Sequence, residues 1–89
     1  MVKRGKLEIM KDILCIIQGN KNLMKPTPLL RKSGLSSSSF KEYYLALLKR
    51  GLIQEINRNG DRQVTLSEKG FRFLEKYRSI INFIEEFDL

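Results

Sequence analysis

The chain has 89 residues and a mass of 10.4 kDa, and 42% of its residues are hydrophobic while 30% are charged. This length suffices for one compact domain and excludes a second hydrophobic core, and the composition is typical of a soluble globular protein. The formal net charge is +7 and the pI is about 9.8. The longest apolar run, residues 43–48, has six residues, far fewer than the roughly 20 of a membrane-spanning helix. We therefore expect one cytoplasmic domain without a membrane segment.

The residue types present argue against catalysis and metal binding. The chain contains no histidine, which is the side chain that titrates nearest neutral pH and the commonest metal ligand. The single cysteine, Cys15, cannot form an internal disulfide or complete a zinc site, and it has no histidine to activate it as a nucleophile. The adjacent Glu85 and Glu86 would point in different directions on a helix. We therefore predict no enzymatic activity, no cofactor and no metal site.

The positive charge is concentrated in the N-terminal half of the chain. Residues 1–50 contain 11 lysines and arginines against three acidic residues, whereas residues 67–89 contain four basic and five acidic residues. Such asymmetry favours a polyanionic partner, either nucleic acid or an anionic membrane surface. The alternative is that the charge merely keeps the protein soluble.

The first predicted helix covers about Arg4 to Gln18 and ends at Gly19 and Asn20. Apolar residues recur along it at intervals of three or four, which places them on one helical face. This predicted face consists of Leu7, Met10, Ile13, Leu14 and Ile17. A second apolar stripe, Ile9 and Ile16, suggests that the helix contacts more than one neighbour.

Two further helices are predicted to follow, separated by a break at residues 33–34. Thr27 is the predicted N-cap of the second helix, with Pro28 at its first position. The third helix covers residues 37–50 after the N-cap Ser36 and buries Phe40, Tyr44 and Leu47. Two helices joined by a tight, glycine-containing turn are typical of a helix-turn-helix.

A β-hairpin is predicted next, formed by residues 52–56 and 62–66. The segment between them contains Asn59-Gly60, a strong signal for a hairpin turn. Three helices followed by a hairpin is the element order of a winged helix, with the hairpin as the wing. Ser67 is the predicted N-cap of a last helix that begins at Glu68 and continues almost to the C-terminus.

Apolar residues on the last predicted helix form a heptad stripe, which indicates dimerisation through this helix. A helix of about 20 residues is about 30 Å long and would extend beyond a small winged domain. We therefore divide the chain into a winged helix-turn-helix domain, residues 1–66, and a dimerisation helix, residues 67–89. The predicted dimerisation residues are Phe73, Tyr77, Ile80, Ile81, Ile84 and Phe87. Whether two such helices pair in parallel or antiparallel, or fold back on Ile9 and Ile16 of the first helix, stays open.

Several short motifs occur along nearly the whole chain in the order found in winged helices. They are Lys6–Ile9, Leu35-Ser36, Tyr43, Leu47–Ile53, Val64–Gly70 and Phe73–Tyr77. In this pattern the chain resembles small archaeal winged helix-turn-helix proteins, both transcriptional regulators and chromatin-associated proteins, that pair through C-terminal helices in an antiparallel coiled coil. The resemblance implies a mainly α fold with a small β-hairpin and binding of double-stranded DNA through the third helix and the wing. It also implies a location on the nucleoid, and neither catalysis nor a cofactor.

Exposed polar residues of the third helix and the wing are the candidates for contact with DNA. Helical spacing places Lys41 on the outward face of the third helix, and Arg58 and Arg62 flank the tip of the hairpin. The predicted DNA-binding residues are Arg31, Lys32, Ser36, Ser37, Ser38, Lys41, Arg58, Asn59 and Arg62. Because the first turn of the third helix has no Arg, Asn or Gln to read a base edge, we expect modest sequence preference. The alternative is a protein–protein interaction adaptor that does not bind DNA, for which Leu45 on the same face would be a contact.

Overall fold

The computed structural model describes residues 5–89. Four helices and one hairpin follow one another in chain order, and the predicted mainly α fold with a small β-hairpin is confirmed. The elements are α1 (Lys6–Gly19), α2 (Pro26–Ser33), α3 (Ser37–Lys49), β1 (Ile53–Arg58), β2 (Asp61–Leu66) and α4 (Glu68–Glu86). The predicted helical start at Arg4 lies outside the described residues. No helix within residues 5–89 combines the length and apolar character needed to cross a membrane.

Two of the three predicted helix caps are confirmed. Ser36 Oγ accepts a hydrogen bond from the amide of Ser39 at 3.3 Å, and Ser67 Oγ accepts one from the amide of Gly70 at 3.1 Å. Ser67 Oγ also donates to the carbonyl of Gly51 at 2.5 Å, so the same hydroxyl ties the start of α4 to the end of α3. Each cap satisfies an amide that the first helical turn leaves without a partner.

The predicted cap of α2 is wrong, because the helix begins earlier than expected. Lys25 is the N-cap, with an extended backbone, and Pro26 is the first helical residue, so Thr27 lies within the first turn. A residue before proline is driven to extended backbone, and proline itself fits the first helical position. Pro28 still falls in the first turn, where a missing amide proton breaks no helical hydrogen bond.

The hairpin is longer than predicted and closes through a two-residue turn. Arg58 pairs with Asp61 next to the tip, while Asn59 and Gly60 have φ angles of 53° and 82°. Two successive positive φ values are typical of a type I′ turn, whose twist matches that of the strands. The β ladder therefore continues to the tip and holds the wing residues in a defined register.

The connection between α1 and α2 pairs with the free edge of β2, which the sequence analysis did not predict. Met24 forms an antiparallel bridge with Val64, through N···O distances of 3.2 and 2.8 Å. Asn22 Oδ1 accepts a hydrogen bond from the amide of Leu66 at 2.9 Å. These bonds fasten the wing to the helical part of the domain.

The hydrophobic core lies between α1, α2, α3, the hairpin and the first half of α4. Its fully buried side chains are Ile13, Leu14, Ile17, Leu29, Leu47, Ile53, Val64 and Leu74. Of the predicted α1 face, Leu7 alone is not buried and is 52% exposed. It lies in the first turn of α1, where it lines an open groove with Phe73 and Ile80 instead of packing inside the core.

Candidate nucleic-acid interface

The outward face of α3 is exposed and, apart from Leu45, polar. Its core side is buried through Phe40, Tyr44 and Leu47, as predicted from the helical spacing. The exposed residues on the opposite side are Ser37, Ser38, Lys41, Glu42, Leu45 and Lys49. The predicted N-cap Ser36 is also exposed and lies at the start of this face. The fold therefore leaves a helical surface with two lysines and several hydroxyl groups open to a large partner.

The turn between α2 and α3 is held by one buried serine. Ser33 Oγ donates to the carbonyl of Leu30 at 2.6 Å and accepts from the amide of Leu35 at 3.2 Å. Gly34 supplies the left-handed residue of the turn, with a φ of 73°. Arg31 and Lys32 are exposed in the last turn of α2, immediately before this turn.

The wing carries both cations and anions. Arg58, Asn59 and Arg62 are exposed, as expected for residues around the hairpin tip. Arg62 Nε lies 3.7 Å from Glu55 Oε2, and Lys25 Nζ, from the start of α2, lies 3.5 Å from Asp61 Oδ2. Sequence analysis missed these two ion pairs, since only the hairpin register and the docking of the α1–α2 connection bring the partners together.

A hydrogen bond to Glu55, the partner of Arg62, also joins α3 to the wing. Tyr44 Oη donates to Glu55 Oε2 at 2.7 Å, and the Tyr44 ring stacks on Phe40 with ring centroids 5.5 Å apart. Burial raises the pKa of Tyr44 well above its usual value of 10.0, and the hydrogen bond to Glu55 raises it further by a smaller amount. The hydroxyl therefore stays protonated and donates to Glu55 throughout the neutral range.

The remaining predicted cations are not neutralised by the protein itself. Within residues 5–89, Arg31, Lys32, Lys41 and Arg58 form no ion pair. Exposed cations that form no ion pair are available to a polyanion, and their binding to it is favoured by the entropy of the released counterions. The described part of the chain has no group of three or more His, Cys, Asp or Glu side chains that could hold a metal ion.

A second accessible surface, of opposite character, lies along α4. Leu74 is 1% exposed in the first half of this helix, whereas Ile80, Phe83 and Phe87 in the second half are 53%, 55% and 58% exposed. The rings of Phe83 and Phe87 contact each other, with centroids 4.9 Å apart. The described residues measure 49 × 28 × 22 Å. Contact between α4 and α1 continues to Arg78, whose Nη2 donates to Gln18 Oε1 at 3.3 Å, while Ile80 and Phe87 stay exposed.

The predicted dimerisation residues divide between the two halves of α4. Phe73 and Tyr77 are half-buried and line a groove of about 410 Å³ together with Leu7, Leu52 and Ile80. Further along, Ile81 and Ile84 are half-buried, while Ile80 and Phe87 are exposed. Phe83 extends the same apolar surface but was missed by the sequence analysis, because it falls outside the heptad stripe.

Three helices followed by a hairpin wing, with cations on the helix-turn-helix, are the arrangement of a winged helix-turn-helix protein. A family model described as winged helix-turn-helix matches residues 3–85, and the chain belongs to this family. No curated protein sequence is significantly similar to it.

Solved structures with the same fold come from an archaeon and from viruses. The DNA-binding protein Sso10a-2 from Sulfolobus solfataricus has a TM-score of 0.74 and 24% identity, over 94% of this chain and 85% of that protein. The winged-helix DNA-binding protein F93 from STIV has a TM-score of 0.73 and 15% identity, over 89% and 91% of the two chains. SSV1 F-93 has a TM-score of 0.64 and 18% identity, over 88% and 91%. The resemblance to small archaeal winged helix-turn-helix proteins is thereby confirmed at the level of the fold.

Proposed function

We propose that this protein binds double-stranded DNA as a homodimer, with modest sequence preference, and acts as a transcriptional regulator or a nucleoid-associated protein. The observation that carries the proposal is the position of the unpaired cations Arg31, Lys32, Lys41 and Arg58 on the helix-turn-helix and the wing. Two of the similar structures are described as DNA-binding proteins, which supports the same function here.

In this proposal α3 enters the major groove and the wing lies along the neighbouring backbone. Ser36, Ser37 and Ser38 bring hydroxyl groups and the free amides of a helix N-terminus toward phosphate. Lys41 reaches a phosphate or a guanine, and Arg58 with Asn59 at the hairpin tip reaches phosphate or the minor groove. Because these contacts are mostly to the backbone, affinity depends more on salt than on sequence.

Residues 67–89 supply the proposed dimer contact, through the apolar surface of α4. An exposed apolar surface of this kind is stabilised when a partner covers it. Two copies of α4 would bury Ile80, Ile84 and Phe87 against each other while the half-buried Phe73 and Tyr77 continue the contact toward the domain.

The charges along α4 favour an antiparallel pair. Lys69, Arg72 and Lys76 line the groove at the first half of the helix, whereas Glu85, Glu86 and Asp88 follow one another at its end. An antiparallel partner brings its acidic end to the basic groove, while a parallel partner brings like charges together. The same arrangement places the two DNA-binding surfaces at opposite ends of the dimer.

Binding to a mixed-sequence DNA duplex at a series of salt concentrations, with the solution mass measured in the same buffers, tests the proposal. We expect a dimer mass and a logarithmic salt slope equivalent to roughly four or more phosphates per bound unit. A folded protein that does not bind the duplex at low salt would contradict DNA binding, and a monomer mass at working concentration would contradict the dimer.

The second candidate function is that of a protein–protein interaction adaptor. It is favoured by Leu45, which is 52% exposed on the outward face of α3 between Lys41 and Lys49. An adaptor would bind DNA negligibly at moderate salt, and the duplex titration therefore separates it from the leading proposal.

A further inference from the structure

We propose that Glu55 competes with DNA phosphate for Arg62. In the free protein Glu55 pairs with Arg62 and is held there by the hydrogen bond from Tyr44, and this pairing lowers the affinity of the wing for DNA. This inference rests on the proposed DNA-binding function. Glu55 is thus an acidic residue that sets affinity within a surface whose cations bind the polyanion.

The first support is that one carboxylate oxygen serves two partners on different elements. Glu55 Oε2 accepts the hydrogen bond of Tyr44 Oη at 2.7 Å and lies 3.7 Å from Arg62 Nε. Glu55 is paired with Val64 across the hairpin, which makes Arg62, two residues away on β2, its diagonal neighbour on the same face. The β ladder therefore keeps the two charged side chains within reach of each other.

The second support is that Tyr44 is a fixed donor. The Tyr44 side chain projects from α3 into the core and stacks on Phe40. Its hydroxyl therefore has little freedom to turn toward another acceptor. A hydrogen bond from a hydroxyl to a carboxylate oxygen is stronger than one between two neutral groups. Glu55 is thus held beside Arg62 instead of swinging freely into solvent.

The third support is that the pair is accessible to a competitor. The Arg62 side chain is 67% exposed and that of Glu55 is 31% exposed, and exposed ion pairs are weak and screened by salt. A DNA phosphate can therefore replace Glu55 as the partner of Arg62. The carboxylate stays behind, however, and repels the incoming phosphate, which lowers the net gain from the contact.

The test replaces Glu55 with its neutral isostere. In Glu55→Gln the amide oxygen still accepts from Tyr44, but Arg62 loses its anionic partner. We expect duplex DNA to bind at least about threefold more tightly at low salt, with a salt slope steeper by up to ~1. Glu75→Gln on α4 is the matched control, because it changes the net charge equally at an exposed glutamate outside the wing.

Two further variants separate competition from a general effect of charge. The gain from Glu55→Gln should vanish in an Arg62→Ala background, where no cation remains to be released. Tyr44→Phe removes the hydrogen bond that holds Glu55 beside Arg62, so it should also tighten DNA binding, by less than Glu55→Gln because the carboxylate remains; unchanged affinity would overturn the role of Tyr44.

The outcomes distinguish this inference from the function on which it rests. If the unmodified protein does not bind the duplex, DNA binding and the inference both fail. If it binds, but Glu55→Gln gains no more than Glu75→Gln or gains equally without Arg62, the competitor role alone is overturned. A gain specific to Glu55 that depends on Arg62 supports it.

Discussion

α3 and α4 each leave one face uncovered, but the two faces have opposite chemistry. The face of α3 presents Lys41 and Lys49 beside serine hydroxyls, and such groups are stable in water without any partner. The face of α4 presents Ile80, Phe83 and Phe87, whose exposure to water is unfavourable. Burial alone therefore does not identify an interface: the cationic face suits a polyanion, while the apolar face suits a second apolar surface.

The two halves of α4 also differ, because Leu74 in the first half is buried and Phe87 at the end is exposed. Truncating these two side chains should give the largest difference in the free energy of unfolding. Leu74→Ala removes a fully buried side chain from the core and should lower the free energy of unfolding by about 2–5 kcal/mol. Phe87→Ala, measured by denaturant unfolding at a concentration low enough for monomers, should change it by less than about 0.5 kcal/mol. Equal losses in the two variants would show that the end of α4 also belongs to the core of the monomer.

The next largest effect is expected on association through the apolar face of α4. The double variant Ile80→Asp, Ile84→Asp should raise the dimer dissociation constant at least about 100-fold, because it places charge in an apolar contact. Sedimentation equilibrium gives the mass, and the duplex titration should show weaker DNA binding.

Ser79→Asp with Asn82→Asp is the matched control for this prediction, because it adds the same charge at exposed positions away from the apolar stripe. It should remain dimeric. A dimer that survives the isoleucine changes would remove this surface from the interface.

A smaller effect is expected on the cationic face. Lys41→Ala and Arg58→Ala should each weaken DNA binding by about 1 kcal/mol and make the salt slope shallower by ~1, because each removes one phosphate contact. Arg78→Ala on α4, whose Nη2 donates to Gln18 Oε1 at 3.3 Å, is the control and should leave affinity nearly unchanged. Unchanged affinity in both test variants would exclude α3 and the wing as the binding face.

The smallest effect concerns the contact that joins α3 to the wing. Because burial and the Glu55 hydrogen bond raise the pKa of Tyr44 in the folded protein above 10.0, the unfolded chain releases the proton first as the pH rises. The stability linked to Tyr44 is therefore complete below pH 10 and falls above it. Between pH 10 and 11, Tyr44→Phe should lose stability less steeply than the unmodified protein in denaturant titrations; parallel curves would contradict the assignment.

Much of the fold was predictable because its signals are local. Ser36 and Ser67 cap their helices, Asn59-Gly60 forms the turn, and helical spacing buries one face of α3. The error at Thr27 was also local, since Pro26 and Pro28 both fit a first helical turn and only the backbone of Lys25 decides between them.

The candidate site was less predictable than the fold. The exposure of Lys41 and Arg58 followed from helical spacing and turn position, whereas their role in DNA binding stays a prediction. The pairs of Arg62 with Glu55 and Lys25 with Asp61 depend on strand register and on how separate segments pack together. The Asn59-Gly60 turn fixes the register that brings Arg62 diagonal to Glu55, but nothing in the linear sequence indicates the pair of Lys25 with Asp61.

The sequence by itself determined the element order, the capped starts of α3 and α4 and the concentration of positive charge in the N-terminal half, because propensity, capping and charge are properties of neighbouring residues. Tertiary structure alone decided that Met24 would pair with Val64, that Glu55 would lie between Tyr44 and Arg62, and how far along α4 burial would extend. These features join residues distant in sequence, and their energies depend on which surfaces meet once the core has formed.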